Sequence, residues 1–118
     1  MSKTLAETLS TLKDFSLNHN HGKLVSSLVE KIEKFVAIHP ELLSGNVYAD
    51  SGYDPEMGNS WNDLVVEDEN GYSSIIVEFD EDSPVYANSG YDPELQTDWD
   101  EIALEVDGES ITLVDFNN

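Results

Sequence analysis

The feature that most constrains this chain is a repeat within its second half. Residues 47–57 recur as residues 85–95, with nine of eleven positions identical at an offset of 38. The correspondence continues through Trp61 and Trp99 and covers about 33 residues in each copy. Self-similarity of this length indicates one supersecondary unit that occurs twice. The fold must therefore place two similar units around a common core.

Each copy begins with the segment Ser-Gly-Tyr-Asp-Pro-Glu, which we interpret as a loop, and continues into a β-hairpin. Asn70-Gly71 and Asp107-Gly108 are typical of tight hairpin turns. The short segments Val47-Tyr48 and Val85-Tyr86 are predicted to add edge strands to the sheet. The predicted hairpin strands span residues 62–68 and 73–79 in the first copy and 100–106 and 110–116 in the second.

The first forty residues show helical periodicity instead. An apolar stripe with spacings of three and four predicts a helix that begins near Leu5 and ends at Gly22, a candidate left-handed stop. Ser2 or Thr4 can cap its start, since a glutamate three residues after Thr4 makes a capping-box arrangement. A second, broader stripe predicts a helix over residues 23–38.

These elements predict an α+β fold in one domain, residues 1–118. The two N-terminal helices, within residues 1–43, pack on one face of an antiparallel sheet of four to six strands. That sheet is built from the duplicated loop-plus-hairpin unit, at 46–79 and 85–118, and its other face lies in water. A hydrophobic content of 39% in 118 residues is enough for one core.

Charge is segregated along the chain. The formal net charge is −20, and all five lysines lie in the first forty residues, whereas residues 41–118 hold 21 acids and no base. Acidity acquired only for solubility would spread over all exposed segments, so this segregation is typical of an interaction surface. Direct binding of nucleic acid or of an anionic membrane is disfavoured because both repel such a surface. A basic protein partner is favoured.

Other function classes lack the residues they need. The chain has no cysteine, so thiolate metal sites and cysteine nucleophiles are excluded. Neither a serine-nucleophile motif nor a zinc ligand set around the three histidines is visible. We therefore expect neither an enzyme nor a cofactor or metal. With no apolar run near ~20 residues and no secretory signal pattern, we expect a cytoplasmic location and no membrane partner.

Alternation along a strand puts Glu101 and Glu105 on one face and Ile102 and Leu104 on the other. The sheet should therefore turn an acidic face to solvent, and its acids are the candidate partner-binding residues. The sheet-borne candidates are Asp63, Glu67, Glu78, Asp98, Asp100, Glu101, Glu105 and Asp115. The loop candidates are Asp54, Glu56, Asp92 and Glu94.

The repeated aromatic residues permit two interpretations. Tyr53 and Trp61 in the first copy match Tyr91 and Trp99 in the second. Repeated aromatics usually build equivalent parts of a core, and we predict that role here. The alternative is that the tyrosines flank the acidic face as contact anchors, since Tyr and Trp are enriched at interface hot spots.

Length, acidity, the absence of cysteine and the helix-plus-hairpin layout together resemble the small acidic DNA-mimic proteins, in particular those that bind the histone-like nucleoid protein HU. The resemblance is one of composition and length and carries no motif. It implies a monomer that covers the DNA-binding surface of a basic partner such as a histone-like dimer. A domain roughly 35 Å long would need about 20 charges to match duplex DNA, which carries one charge per ~1.7 Å.

Two alternatives stay open. An immunity-type inhibitor of a basic toxin or nuclease would use the same electrostatics. A Ca²⁺-binding module would use the hard oxygen ligands of the repeated Ser-Gly-Tyr-Asp-Pro-Glu segments, although their spacing is not that of an EF-hand. Those oxygen ligands are Asp50, Asp54 and Glu56 in one copy and Asn88, Asp92 and Glu94 in the other.

Overall fold

The protein contains two helices followed by antiparallel strands, which confirms the predicted α+β class. The computed structural model describes residues 3–116. The N-terminal part comprises β1 (Lys3–Thr4), α1 (Leu5–Asn18), α2 (Lys23–Ile38) and a short 3-10 helix (Pro40–Ser44). The remaining strands are β2 (Asn46–Asp54), β3 (Asn59–Glu67), β4 (Ser73–Glu78), β5 (Val85–Asp92), β6 (Thr97–Val106) and β7 (Glu109–Asp115).

Helix α1 begins at the predicted capping box. The Glu7 N–H donates to Thr4 Oγ1 at 3.1 Å, and the Thr4 N–H donates to Glu7 Oε1 at 2.9 Å. Two donors at the helix start are satisfied in this way, which stabilises a helix by about 1 kcal/mol. Ser2, the other candidate cap, lies outside the described residues.

Gly22 does not act as the left-handed stop that we predicted. Helix α1 already ends at Asn18, and Gly22 is the N-cap of α2 with a φ of −58°. A Cβ at this position would overlap the carbonyl oxygens of Phe15 and Ser16. Glycine is therefore required here for close approach of the backbone to α1.

The strands form two sheets, so the prediction of a single sheet was wrong. One sheet has the order β1-β2-β3-β4 and the other the order β5-β6-β7. The segments predicted as loops are strand: β2 pairs with β3 over its whole length, from Asn46 opposite Glu67 to Asp54 opposite Asn59. Each copy of the repeat is thus a three-stranded meander and not a loop followed by a hairpin.

The two meanders have matching registers. Gly52 lies opposite Trp61 and Gly90 lies opposite Trp99. The outer ladders each contain an irregularity, one between residues 64 and 65 and the other between residues 102 and 103. The predicted hairpin turns are present, and Gly71 and Gly108 have φ values of +85° and +82° that only glycine adopts without strain.

The free edges of β2 and β5 meet through side chains. Ser51 Oγ lies 2.8 Å from Ser89 Oγ. The Asn62 amide makes two hydrogen bonds to Ala87: its Nδ2 donates to the carbonyl oxygen, and its Oδ1 accepts from the N–H, both at 2.6 Å. These contacts join the two meanders where a continuous sheet would have ladder hydrogen bonds.

A single core lies between the helices and the inner faces of both sheets. Alternate residues of the strands enter it, as the buried Val47 and Ala49 of β2 show. The largest side chains that are fully enclosed come from the helices and from β3 and β6, and burial of each contributes about 1.5–3 kcal/mol. These side chains are Leu5, Leu12, Ile32, Leu64, Ile102 and Leu104.

Candidate partner-binding surface

Three carboxylates lie side by side across the first sheet. Asp50 is opposite Asp63 in the β2–β3 ladder, and Asp63 is opposite Glu78 in the β3–β4 ladder. Residues in register share a face and have Cβ atoms about 5 Å apart. The alternation that buries Ala49 and Leu64 turns these three neighbours to the outer face. We call Asp50, Asp63 and Glu78 the first acidic row.

The electrostatics of this row follow from its position. Partial burial raises the pKa of Asp63, and the negative charges of Glu78 and Asp50 raise it further. A raised carboxyl pKa means that the charged form is disfavoured by its surroundings. A cation placed beside the row would relieve this repulsion.

The second sheet has an equivalent row with one fewer charge. Asn88, Glu101 and Asp115 lie in register on the outer face. Glu101 is held by neutral donors: its Oε2 accepts from Asn88 Nδ2 at 3.2 Å, and its Oε1 accepts from Thr112 Oγ1 at 2.9 Å. Asp115 is exposed. We call Asn88, Glu101 and Asp115 the second row.

Glu67 and Glu105 extend the two rows along β3 and β6, and both are exposed. Glu67 is opposite Ser73 and Glu105 is opposite Ser110. In each sheet that serine is hydrogen bonded to a tyrosine hydroxyl of the same sheet: to Tyr48 of β2 at 3.1 Å in the first, and to Tyr86 of β5 at 2.9 Å in the second. Six of the candidate acids therefore lie on outer faces: Asp63, Glu67, Glu78, Glu101, Glu105 and Asp115.

Four candidate acids lie instead at the tips of the β2–β3 and β5–β6 hairpins. Asp54 Oδ1 accepts hydrogen bonds from the N–H groups of residues 56 and 57, at 3.0 and 3.3 Å. Asp92 Oδ1 accepts from residues 94 and 95 at the same two distances. These aspartates stabilise the turns by accepting hydrogen bonds from turn N–H groups. Glu56 and Glu94 are exposed beside them.

The tips show no arrangement that suits calcium. Among residues 3–116, no three side chains of His, Asp or Glu come together in a way that could hold a metal ion. The carboxylates of Asp54 and Asp92 face their own turn amides, which are donors and not ligand atoms. The described geometry gives the Ca²⁺ alternative no support.

Asp100 is separated from the outer rows. It is opposite Ser89 and has the strand parity of Ile102, so it points toward the junction of the two sheets. Its Oδ2 accepts a hydrogen bond from the Ala49 N–H at 2.8 Å. Burial raises the pKa of Asp100, the Ala49 hydrogen bond opposes this, and nearby Asp115 and Asp98 raise the pKa again. Asp100 therefore holds the two sheets together.

Asp98, the remaining candidate, is exposed and opposite Tyr91 near the end of β6. Sequence reasoning named Asp50 only as a calcium ligand and not as a partner-binding acid, because the segment that follows it was taken for a loop. The signal was present in the apolar–polar alternation of residues 47–50, which predicts Asp50 on the face opposite Val47 and Ala49. The structure thus replaces Asp100 with Asp50 in the acidic surface.

The prediction that the repeated aromatics build the core was wrong. Tyr53 is 63% exposed, Tyr91 57% and Trp61 43%. Trp61 has the strand parity of Asp63, and Trp99 has that of Glu101, so both indoles lie on the outer faces of the sheets and not toward the helices. Each indole instead packs across the strand on a glycine, Gly52 or Gly90, where a Cβ would overlap the ring.

Two grooves flank the crossing of β2 and β5. The first groove encloses about 530 Å³, and the second about 470 Å³. Each is lined by a tryptophan of one repeat and by a tyrosine of the other. The first groove contains Trp61, Tyr86, Asp63, Glu78, Asp80 and Glu81. The second groove contains Trp99, Tyr48, Tyr91, Asp50, Asp98 and Asp100.

The basic residues are concentrated on the helical side. Lys13 and Glu33 form a salt bridge at 3.2 Å, and His39 Nδ1 lies 3.5 Å from Glu41 Oε1. Lys23 and Lys31 of α2 line a cleft of about 290 Å³ together with Glu78 and Asp80 at the end of β4. Lysines of α2 therefore approach the acidic surface along this border.

Comparisons with protein-family models, with curated proteins and with solved structures found no match. No helix among the described residues is long and apolar enough to cross a membrane. The function must therefore be inferred from the residues on the surface of the protein.

Proposed function

We propose that this protein binds a basic DNA-binding protein, such as a histone-like dimer of the nucleoid, and occupies the surface that otherwise contacts DNA. It acts in the cytoplasm as a monomer, through binding and not through catalysis. The observation that carries the proposal is the first acidic row, in which three carboxylates lie in register on strands that have no lysine or arginine.

The density of charge supports this proposal. The longest dimension of the described chain is 41 Å, and a DNA duplex of that length carries about 24 phosphate charges. Residues 41–118 carry 21 carboxylates. A basic groove that gains binding free energy from DNA through counterion release would gain it from these carboxylates by the same mechanism.

The arrangement of the acids also supports it. The two rows present charges about 5 Å apart across strands, and Glu67 and Glu105 continue them about 13 Å further along the same strands, four residues beyond Asp63 and Glu101. Regular spacing on rigid strands limits the entropy lost when a partner orders these side chains. Flexible acidic tails would have no such advantage.

The test is a binding titration with a purified histone-like dimer at several salt concentrations, followed by competition with duplex DNA. We expect the logarithm of the association constant to fall linearly with the logarithm of the salt concentration, and we expect DNA to displace the protein. The double variant Asp50→Asn with Asp63→Asn should reduce the slope by about 2.

The matched control is Asp14→Asn with Glu30→Gln, which removes the same charge from the helical side and should leave the slope nearly unchanged. Affinity that persists unchanged at 1 M salt, where the Debye length is ~3 Å, contradicts the proposal. So does a complex that duplex DNA cannot displace.

A further inference from the structure

The two grooves differ from an ordinary acidic surface because aromatic rings line them. In the first groove Trp61 covers Gly52 and still remains 43% exposed. Tyr86, from the other repeat, and the carboxylates of Asp63 and Glu78 line the same space. An exposed indole that is surrounded by carboxylates, with no base in the lining, is complementary to an organic cation.

The second groove repeats this chemistry with a different balance of charge. Trp99 and Tyr48 take the places of Trp61 and Tyr86, and Asp50 and Asp98 also line this groove. Asp100 also lines this groove, but its Oδ2 already accepts the Ala49 N–H. The first groove thus offers four carboxylates, and the second offers two carboxylates besides Asp100.

We propose that each groove receives one arginine side chain of the bound partner, with the guanidinium stacked on the indole and hydrogen bonded to the flanking carboxylates. This inference rests on the proposed function and specifies which side chains of the partner are recognised. Arginine fits better than lysine because its planar guanidinium stacks on aromatic rings, pairs with carboxylates through two hydrogen bonds and is less strongly hydrated. The first groove is the stronger site because four carboxylates line it, and two of them, Asp63 and Glu81, lie outside the cleft that Lys23 and Lys31 line.

The protein contains two tryptophans, one in each groove, so each groove has its own fluorescent reporter. In the variant Trp99→Phe, the emission of Trp61 reports the first groove alone. The probes are a blocked tetra-arginine peptide and a blocked tetra-lysine peptide of the same charge. We expect saturable changes of emission, with the arginine peptide bound about five-fold more tightly.

A pair of charge variants locates the site. Asp63→Asn with Glu81→Gln removes two carboxylates from the first groove, and Asp14→Asn with Glu30→Gln removes the same charge elsewhere. The first pair should weaken the arginine peptide at Trp61 about ten-fold, and the second pair less than two-fold, since distant exposed charges are screened. Equal affinity for both peptides, or equal effects of both pairs, overturns the proposal.

The groove and the proposed function fail in different ways. Trp61→Leu keeps every charge, so it should lower the affinity for the histone-like dimer without changing the salt slope. If that affinity is unchanged while Asp50→Asn with Asp63→Asn still lowers it, the arginine site is wrong and the proposed function stands. If the arginine peptide binds but DNA does not compete for the dimer, the proposed function is wrong and the site stands. Circular dichroism checks the fold of Trp61→Leu, and the charge pair gives an independent result.

Discussion

Asn62 and Asp100 occupy the same position in the two repeats but make different contacts across the junction. Asn62 both donates to and accepts from the backbone of Ala87. Asp100, as a carboxylate, accepts from the Ala49 N–H at 2.8 Å and has no proton to donate. One side of the junction therefore has a neutral pair of hydrogen bonds, and the other has a partly buried charge.

Asp100→Asn should stabilise the protein. The amide can donate to the Ala49 carbonyl as Asn62 does to Ala87, and the variant removes a charge that burial disfavours. We expect the free energy of unfolding to rise by about 1 kcal/mol, measured by urea denaturation at neutral pH. Asp98→Asn removes an equal charge from an exposed neighbour and should change stability by less than about 0.5 kcal/mol. Equal effects of the two variants would contradict this account of the junction.

Stability should increase as the pH falls from neutral through the raised pKa values of Asp63 and Asp100. The pKa values of Asp63 and Asp100 are raised in the folded protein, so the folded state takes up these protons before the unfolded state does. Their contribution is fully present below the ordinary Asp pKa of about 3.9 and is lost as the pH rises through the raised values. The contribution of Glu7 to stability has the opposite pH dependence, because its hydrogen bonds to Thr4 lower its pKa.

The contribution of Glu7 is present above the ordinary Glu pKa of about 4.3 and is lost as the pH falls through its lowered value. A thermal melting series should therefore show a maximum on the acid side of neutrality and a decline at lower pH. Asp63→Asn with Asp100→Asn should flatten the rise on the acid side of neutrality. A melting temperature that falls steadily from pH 7 downward would contradict the pH dependence of stability that follows from the raised pKa values of Asp63 and Asp100.

Gly52→Ala should destabilise the first meander by about 1–3 kcal/mol, because the added Cβ overlaps the indole of Trp61. The tryptophan emission should shift as the ring is displaced. A double-mutant cycle with Trp61→Ala gives the control. Once the indole is removed, the same Gly52→Ala change should cost little, since alanine is no worse than glycine in a strand.

Asp54→Ala and Asp92→Ala should each lower the free energy of unfolding by about 1 kcal/mol, because each removes an acceptor for turn N–H groups. Glu56→Ala and Glu94→Ala, at the exposed tips, should change it by less than about 0.5 kcal/mol. Addition of calcium should leave the melting temperature of the parent protein unchanged. A rise with calcium that EDTA reverses would restore the calcium alternative.

Three local sequence signals predicted the local structure correctly, whereas the helix stop predicted at Gly22 was wrong. The capping box at Thr4 and the Gly71 and Gly108 turns depend on residues that are neighbours in the chain, and all three are present. The segment Ser-Gly-Tyr-Asp resembled a loop because Gly and Asp-Pro usually mark turns. It is strand because Trp61, nine residues after Gly52, covers the glycine. Pairing with β3 stabilises an extended backbone that the local sequence alone does not favour.

The division into two sheets had no local signal, because it depends on contacts such as Asn62 to Ala87 between distant residues. The candidate site was partly predictable. Alternation correctly placed Glu101 and Glu105 on the outer face, and the same alternation already assigned Asp100 to the side of Ile102 and Leu104. The exposure of Trp61 was missed, although the same alternation already places Trp61 on the outer face with Asp63.

The contact between Ser51 and Ser89 has a consequence for how the two halves can change. The same position of each repeat meets its counterpart there, and residues 62 and 100 each bond to the backbone of the other repeat, so the contacts across the junction are reciprocal. Two separate identical chains that made such reciprocal contacts would need the same residue at positions 62 and 100, and at positions 50 and 88. A single covalent chain has no such requirement. Asparagine at position 62 can therefore have aspartate as its counterpart at the equivalent position 100, and aspartate at position 50 can have asparagine as its counterpart at position 88.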